Sequence, residues 1–163
     1  MAQVSVFEWY KQDMPVGFPG MKADSTLDVI DSFAAETALN PGEAVIRGTN
    51  DGQVKPVAAA ADISSVIGIA VHTHKAYEGS GEYYEVGYNL PVMTFGDVYV
   101  QVNDTVAAGG AVAILVDGDG VNFVASGTSS GSGDDEVTAT DVTGMTYLAS
   151  GVAGDIVPVR IRL

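Results

Sequence analysis

The chain has 163 residues, enough for a single domain with a sizeable core, and its 21 acidic against 7 basic residues give a net charge of -14. The acids are spread along the sequence, so the surface repels phosphate backbones and anionic lipid, and neither nucleic acid nor a membrane is expected as a direct partner. The absence of cysteine removes disulfides and thiolate chemistry.

The first residues, MAQVSVFEWYKQDMPVGF, lack the basic start and unbroken apolar run of a signal peptide, and no run reaches the roughly 18 residues of a membrane span. Synthesis in the cytoplasm follows as the expectation. Residues 1–26 read as an extended N-terminal arm: Val4 and Val6 alternate with polar neighbours, and Pro15, Gly17, Pro19 and Gly20 then rule out a helix. The arm carries Phe7, Trp9, Tyr10, Met14, Phe18 and Met21, an unusual density of large apolar groups. Either they tuck onto the domain's own core or they lie against another subunit.

Residues 27–163 read as one β-domain. Leu27 to Ala38 mixes two periodicities and is assigned a strand followed by a turn. Asn40-Pro41-Gly42 opens a hairpin whose tip is Asn50-Asp51-Gly52, and Val66 to His74 is the next strand, followed by a polar loop from Lys75 to Glu85. The centre of the chain is Val92 to Ile114. There Val98, Val100 and Val102 alternate with Asp97, Tyr99, Gln101 and Asn103, the two-residue period of a strand with one buried and one wet face.

Ala111 to Val116 should pair with the segment after Asp117-Gly118-Asp119-Gly120 as a hairpin. Ser126 to Asp141, rich in Ser, Gly and acids, reads as a mobile surface loop. Two strands around Ala153-Gly154-Asp155 close the chain, with Val157, Val159, Ile161 and Leu163 on one face and Pro158 marking an edge or a bulge. The class is all-β: a sandwich or jelly-roll-like domain, or a barrel, bearing an extended arm.

Reactive constellations are sparse. His72 and His74 share a strand face and Glu78 follows, a spacing similar to the first metal motif of cupins, with Glu82 or Glu85 available to complete a site. The chain has only two histidines, however, so the third histidine of that pattern is missing, and polar strand-end histidines are the stronger reading. Asp117, Asp119 and Asn122 match the start of a calcium loop, but Thr128 stands where the twelfth-position glutamate belongs. Asp134, Asp135 and Glu136 read as a solvated charge run. Serine-nucleophile, phosphate-loop and dinucleotide signatures are absent, so no catalytic residue, metal or cofactor is expected. Trp9, Tyr83, Tyr84 and Tyr88 leave a second reading open, a carbohydrate- or receptor-binding β-sandwich.

Several stretches together resemble the structural cement, or capsid decoration, proteins of tailed bacteriophages: PVGFPGMKADS, GEAVIRGTNDGQVKPVA, IGIAVHTHKA, GYNLPVMTFGDVYVQVNDTVAAGGAVAI and GMTYLASGVAGDIVPVRIRL. The resemblance implies a non-enzymatic β-rich protein, made in the host cytoplasm, that binds the outer surface of the capsid and clamps neighbouring major capsid subunits. It also implies association of copies as dimers or trimers on the shell. On that reading Phe7, Trp9, Tyr10, Phe18 and Met21 are expected to contact the capsid or another subunit. Arg160 and Arg162, with Arg47 and the lysines, are candidates for docking on acidic ground, and a local salt bridge is the competing role for each.

Overall fold

Turn chemistry divides the sequence into short strands. The computed structural model describes residues 16–25, 27–73, 83–118, 120–131 and 136–163. They form β1 (Val29–Ala35), β2 (Ala44–Arg47), β3 (Gln53–Pro56), a 3-10 helix (Ala60–Ser65) and β4 (Val66–Ala70). After these come β5 (Asn89–Gln101), β6 (Ala111–Asp117), β7 (Gly120–Ala125), β8 (Ser129–Ser130), β9 (Val137–Thr138), β10 (Thr140–Tyr147) and β11 (Ile156–Arg162). The expected hairpins are present: β2 pairs with β3 around Gly52, whose φ is +78°, and β6 pairs with β7 through Asp117 opposite Gly120. Gly52 stands where an L side chain would be strained.

The long strand β5 is the spine. Its first half pairs with β1 from Asn89 to Phe95 and with β4 at Val92 and Met93; its second half pairs with β11 from Phe95 to Gln101. Residues 20–23 of the arm take the edge of that second half that β11 leaves open: the Gly20 N–H donates to Tyr99 O, Tyr99 N–H to Met21 O, and Ala23 N–H to Asp97 O, each at 2.8 Å.

Two circuits of strands close on this spine. One runs β5-β1-β3-β2-β4 and back to β5. The other runs β5-β11-β10-β6-β7 and returns through the bridge between Val102 and Phe123, where the Asn103 N–H donates to Phe123 O at 2.9 Å.

Strand alternation sorts side chains between two cores. Ala35, Val45, Val54, Ala70, Leu90 and Val92, drawn from all five strands of the first circuit, fill its interior with Leu39 and Tyr84. Their sequence neighbours Ala44, Ile46, Ile69 and Met93 point the other way into the larger core with Val98, Val100, Val102, Ile114, Tyr147, Val157, Val159 and Ile161. Ile63 of the 3-10 helix joins that cluster. Each fully buried Val, Leu, Ile or Met stabilises the fold by roughly 1.5–3 kcal/mol, so the Leu90–Val102 run that feeds both cores is the largest local contribution.

The structure departs from the sequence reading in three places. Asp97, assigned to the wet face, is 3% exposed, because β11 and the arm cover that row from both edges. The 126–141 segment is not all loop: β8 and β9 pair within it, and Val137 and Ala139 pack on Ala113, Leu115 and Val124 of β6 and β7. The apolar residues among the Ser, Gly and acids supply this small third cluster. β11 lies between β5 and β10, and the edge expected at Pro158 is a local one. Pro158 is accommodated because β10 ends at Tyr147, level with Val159, leaving only the Leu148 N–H to donate to Pro158 O at 2.9 Å. The strand assigned up to His74 ends at Ala70, and His74 is outside the described residues.

Two Pro-Gly turns lock the arm onto the domain. A Cβ on Gly42, at φ +88°, would sit 2.5 Å from Pro19 Cβ, and one on Gly20, at φ +79°, would sit 2.6 Å from Pro41 Cβ. The Gly42→Ala variant is therefore expected to lose about 1–3 kcal/mol, from the strained backbone and the collision together, and to melt several degrees below the parent.

Glu36, at the end of β1, accepts hydrogen bonds from the Thr49 backbone N–H and, at 2.9 Å, from Thr49 Oγ1. These bonds, the backbone one first, hold its carboxyl below the usual carboxylate range. A depressed folded-state value stabilises the fold above the unfolded pKa of about 4.3, and that contribution is lost as the pH falls through the folded value. Denaturant midpoints measured from about pH 5 to pH 3 should accordingly fall less steeply for Glu36→Gln than for the parent.

Candidate functional site

Along one edge of β5, β1 and β11 meet end to end. Val29 at the start of β1 and Arg162 at the end of β11 both take Phe95 as their partner. Gly96 makes this junction possible: its φ is +131°, and a Cβ there would lie 2.9 Å from Asp28 Cβ and 3.1 Å from Met93 Sδ. The chain before β1 can thus cross the strand closely, and a cleft of about 270 Å³ opens beside it. Leu27, Phe95, Gly96, Asp97, Arg160, Ile161 and Arg162 line it.

Apolar side chains at this junction are exposed: Leu27 at 80% and Phe95 at 38% line the cleft, and Val29, the cross-strand partner of Phe95, is exposed at 46%. Leu163, also exposed, continues the row of Val157, Val159 and Ile161 past the end of the core, on the face of β11 opposite to Arg160 and Arg162. Scattered surface hydrophobics are ordinary, but three gathered at one strand junction mark an interaction surface.

The charged groups here are held in fixed geometry. Arg160 donates from Nε to Asp97 Oδ1 at 2.8 Å and from Nη2 to Asp97 Oδ2 at 2.7 Å, a bidentate pair formed because the two residues are direct cross-strand partners. The hydrogen bonds and then the charge of Asp97 raise the Arg160 pKa further. On the far side Lys22 Nζ lies 2.9 Å from Asp28 Oδ2. Among the described residues Arg162 makes no salt bridge. The cleft thus offers apolar contact area and one uncommitted guanidinium, with neither a nucleophile nor a base aimed into it, and the arrangement suits adhesion.

The residues expected to make contacts are only partly among those described. Phe7, Trp9 and Tyr10 lie outside the described residues. Phe18 is 46% exposed with its ring 4.5 Å from that of His72, and Met21 is partly buried beside β5. Both belong to the arm, on the edge of β5 opposite to the one that Arg160 and Arg162 reach through β11, so the fold does not bring Phe18 and Met21 into one patch with the arginines. Arg160 is engaged with Asp97, and Arg47 stands over the Phe33 ring at 5.0 Å. Leu27, Val29 and Phe95 were not singled out in the sequence, since nothing local to them announces that β1 and β11 converge.

The other constellations are described only in part. His72 sits between the Phe18 and Tyr83 rings, 4.5 Å and 4.9 Å away between centroids. His74, Glu78 and Glu82 are outside the described residues, Glu85 is exposed, and among the described residues no group of three His, Cys, Asp or Glu side chains could hold a metal. Asp117 and Asn122 of the calcium-like run are joined across the β6–β7 hairpin, with Asn122 Nδ2 3.5 Å from Asp117 Oδ1. Tyr84, proposed above as part of a sugar platform, is a core residue at 1% exposure. Its hydroxyl donates to Val71 O at 2.6 Å and lies 3.2 Å from Thr73 Oγ1, and burial raises its pKa.

The family model described as structural cement protein (E217 gp24/Pam3 gp6) matches residues 8–162. The chain belongs to this family. A chain from the capsid of Myoviridae phage XM1 has the same fold, with a TM-score of 0.67 over 98% of both chains at 16% identity. The head fibre gp8.5 N base of bacteriophage phi29 is a weaker likeness, with a TM-score of 0.41, 11% identity and coverage of 83% of this chain and 95% of that one. No curated protein matches the sequence. The cement-family membership makes this a structural, capsid-associated phage protein of the virion, with an all-β fold.

Within this cement-family domain the two cleft arginines should behave differently when each is replaced by Met. Arg160→Met strands the 3%-exposed Asp97 carboxylate without its partner and is expected to lower the melting temperature markedly. Arg162→Met should leave it nearly unchanged, and equal melting temperatures for the two variants would contradict the assigned role of the pair.

Proposed function

We propose that this protein binds the outer surface of the phage head and cements neighbouring major capsid subunits through the Leu27–Val29–Phe95 corner. The observation that carries the reading is an exposed apolar cleft at a strand junction in a member of the structural cement protein family. Burying such a corner removes apolar area from water at roughly 25 cal/mol per Å², and Arg162 adds a directional contact to a carboxylate on the shell. A shell repeats the contact many times, so modest affinity at each copy becomes firm attachment wherever two contacts are made together.

The acidic surface serves the same end. A net charge of -14 keeps decorated particles apart and discourages random association, leaving the apolar corner as the adhesive region. Copies associate with one another as dimers or trimers on the shell. Cementing needs no chemical step, and stabilisation arises when one rigid body spans two subunits that internal pressure would separate.

The test uses capsids assembled without this chain, to which purified protein is added back. Parent protein should bind at a fixed ratio to the major capsid protein and raise the temperature at which the shells rupture. The Leu27→Asp and Phe95→Asp variants should stay folded, because both side chains are exposed, yet bind at least tenfold more weakly, a loss of about 1.4 kcal/mol. Undiminished binding by both variants would remove the corner from the interface, and failure of the parent protein to bind any shell would refute the cementing reading.

A further inference from the structure

The edge strand β1 offers a second surface. Val29 to Ala34 pair with β5, whereas β3 pairs only with Ala34 and Ala35. Residues 29–33 consequently have one backbone edge with no strand beside it among the described residues. The Ala35 N–H donates to Tyr88 O on the β5 side and the Ala34 N–H to Gly52 O on the β3 side. By alternation the N–H and C=O groups of Ser32 and Ile30 point away from β5, into the open edge.

The side chains there are open as well. Val29 and Ile30 are 46% and 40% exposed, Asp31 and Ser32 are exposed, and Phe33 is only partly covered. Edge strands are usually blunted by lysine, proline or a covering segment. The sequence Val-Ile-Asp-Ser-Phe has none of these residues, and the register irregularity between Val29 and Ile30 lies at its very start.

We propose that this edge receives residues 3–10 from the N-terminal segment of a neighbouring copy, added as a further strand of the sheet. The segment Gln-Val-Ser-Val-Phe-Glu-Trp-Tyr is rich in β-branched and aromatic residues and free of proline and glycine, so its composition suits strand addition. It brings a single acid, Glu8, to an edge that carries Asp31. A symmetric pairing of β1 with β1 of a second copy would set Asp31 opposite or near its own equivalent, between two molecules that already repel.

The direction of the chain selects the neighbour over the domain's own arm. Lys22 pairs with Val98 and the Gly20 N–H reaches Tyr99 O, so tracing back to Val16 leads along β5 toward Gln101 and away from Phe95. The arm also lies on the β5 edge opposite to β1. Val16 is 69% exposed. Residues 1–15 span at most about 50 Å, ample for reaching an adjacent molecule, while a return to β1 means rounding a body with a radius of gyration of roughly 15 Å. The inference rests on the cementing reading for one thing, the lattice that holds neighbours at a fixed distance and so makes the contact effectively intramolecular.

The protein lacks cysteine, so single substitutions report contacts without background. Ile30→Cys protein is mixed with Val6→Cys or Phe7→Cys protein, the two covering both faces of the segment, and oxidised on decorated shells and in concentrated solution. Mixed disulfides in several-fold excess over like-with-like dimers are expected. Trp9 is the only tryptophan, and its emission should shift to the blue as the purified full chain is concentrated. That shift should vanish in Ser32→Pro, which removes an outward N–H, and in Ile30→Lys, whose exposed position preserves the fold. A disulfide within one chain of a Val6→Cys/Ile30→Cys protein, or no mixed disulfide together with invariant Trp9 emission, would overturn the proposal. Shell binding by the parent chain is scored separately, so loss of the arm contact and loss of cementing are told apart.

Discussion

The pairing of β5 from Asn89 to Gln101 along one edge, and at Val92–Met93 and Asp97–Tyr99 on the other, is the constraint from which the rest of the fold follows. Its thirteen residues are longer than any partner, so each edge is shared by two segments in tandem: β1 and β11 on one, β4 and the arm on the other. One strand thereby belongs to two closed circuits, and its inward residues alternate between their cores. A break in β5 would uncouple the two circuits at once, which is why Leu90, Val92, Met93, Val98 and Val100 are all wholly buried.

Tandem sharing also creates the exposed apolar corner. Where β1 begins and β11 ends on the same edge, neither strand can cover the other's terminal residues, so Leu27, Val29 and Phe95 are left in solvent around a small cleft. Gly96 allows the chain to cross there, and the Asp97–Arg160 pair fixes β11 against β5 directly beneath. Burying one carboxylate costs free energy that the bidentate guanidinium offsets, and the geometry gained is a rigid rim. A rigid adhesive patch on a rigid body is what a clamp between two subunits requires, because a compliant one would stretch instead of resisting separation.

The family assignment and the surface charge divide the labour between attraction and repulsion. Twenty-one acids keep copies and particles apart at range, where charge dominates, while apolar contact acts only within a few ångströms, where the right surface is already in register. Of the seven cations, three are engaged inside the chain: Lys22 on Asp28, Arg160 on Asp97 and Arg47 over Phe33.

Much of this was legible in the residues alone. Alternation fixed the β class, glycine-containing turns placed the β2–β3 and β6–β7 hairpins, and the Val98–Val102 run marked the strand at the centre. Short motifs spread along nearly the whole chain pointed to the structural cement family. These signals are local, set by side-chain period and backbone freedom over a few residues, and so survive in one dimension. Tertiary structure alone decided which segments share an edge of β5, because pairings such as Asp97 with Arg160, or Val29 with Phe95, join residues more than sixty positions apart. That choice turned a strand residue expected in water into a buried carboxylate, moved Tyr84 from a surface platform to the core, and gathered Leu27, Val29 and Phe95 into the exposed corner. The period of a strand says which face a residue occupies; only the packing of the sheet says whether anything covers it.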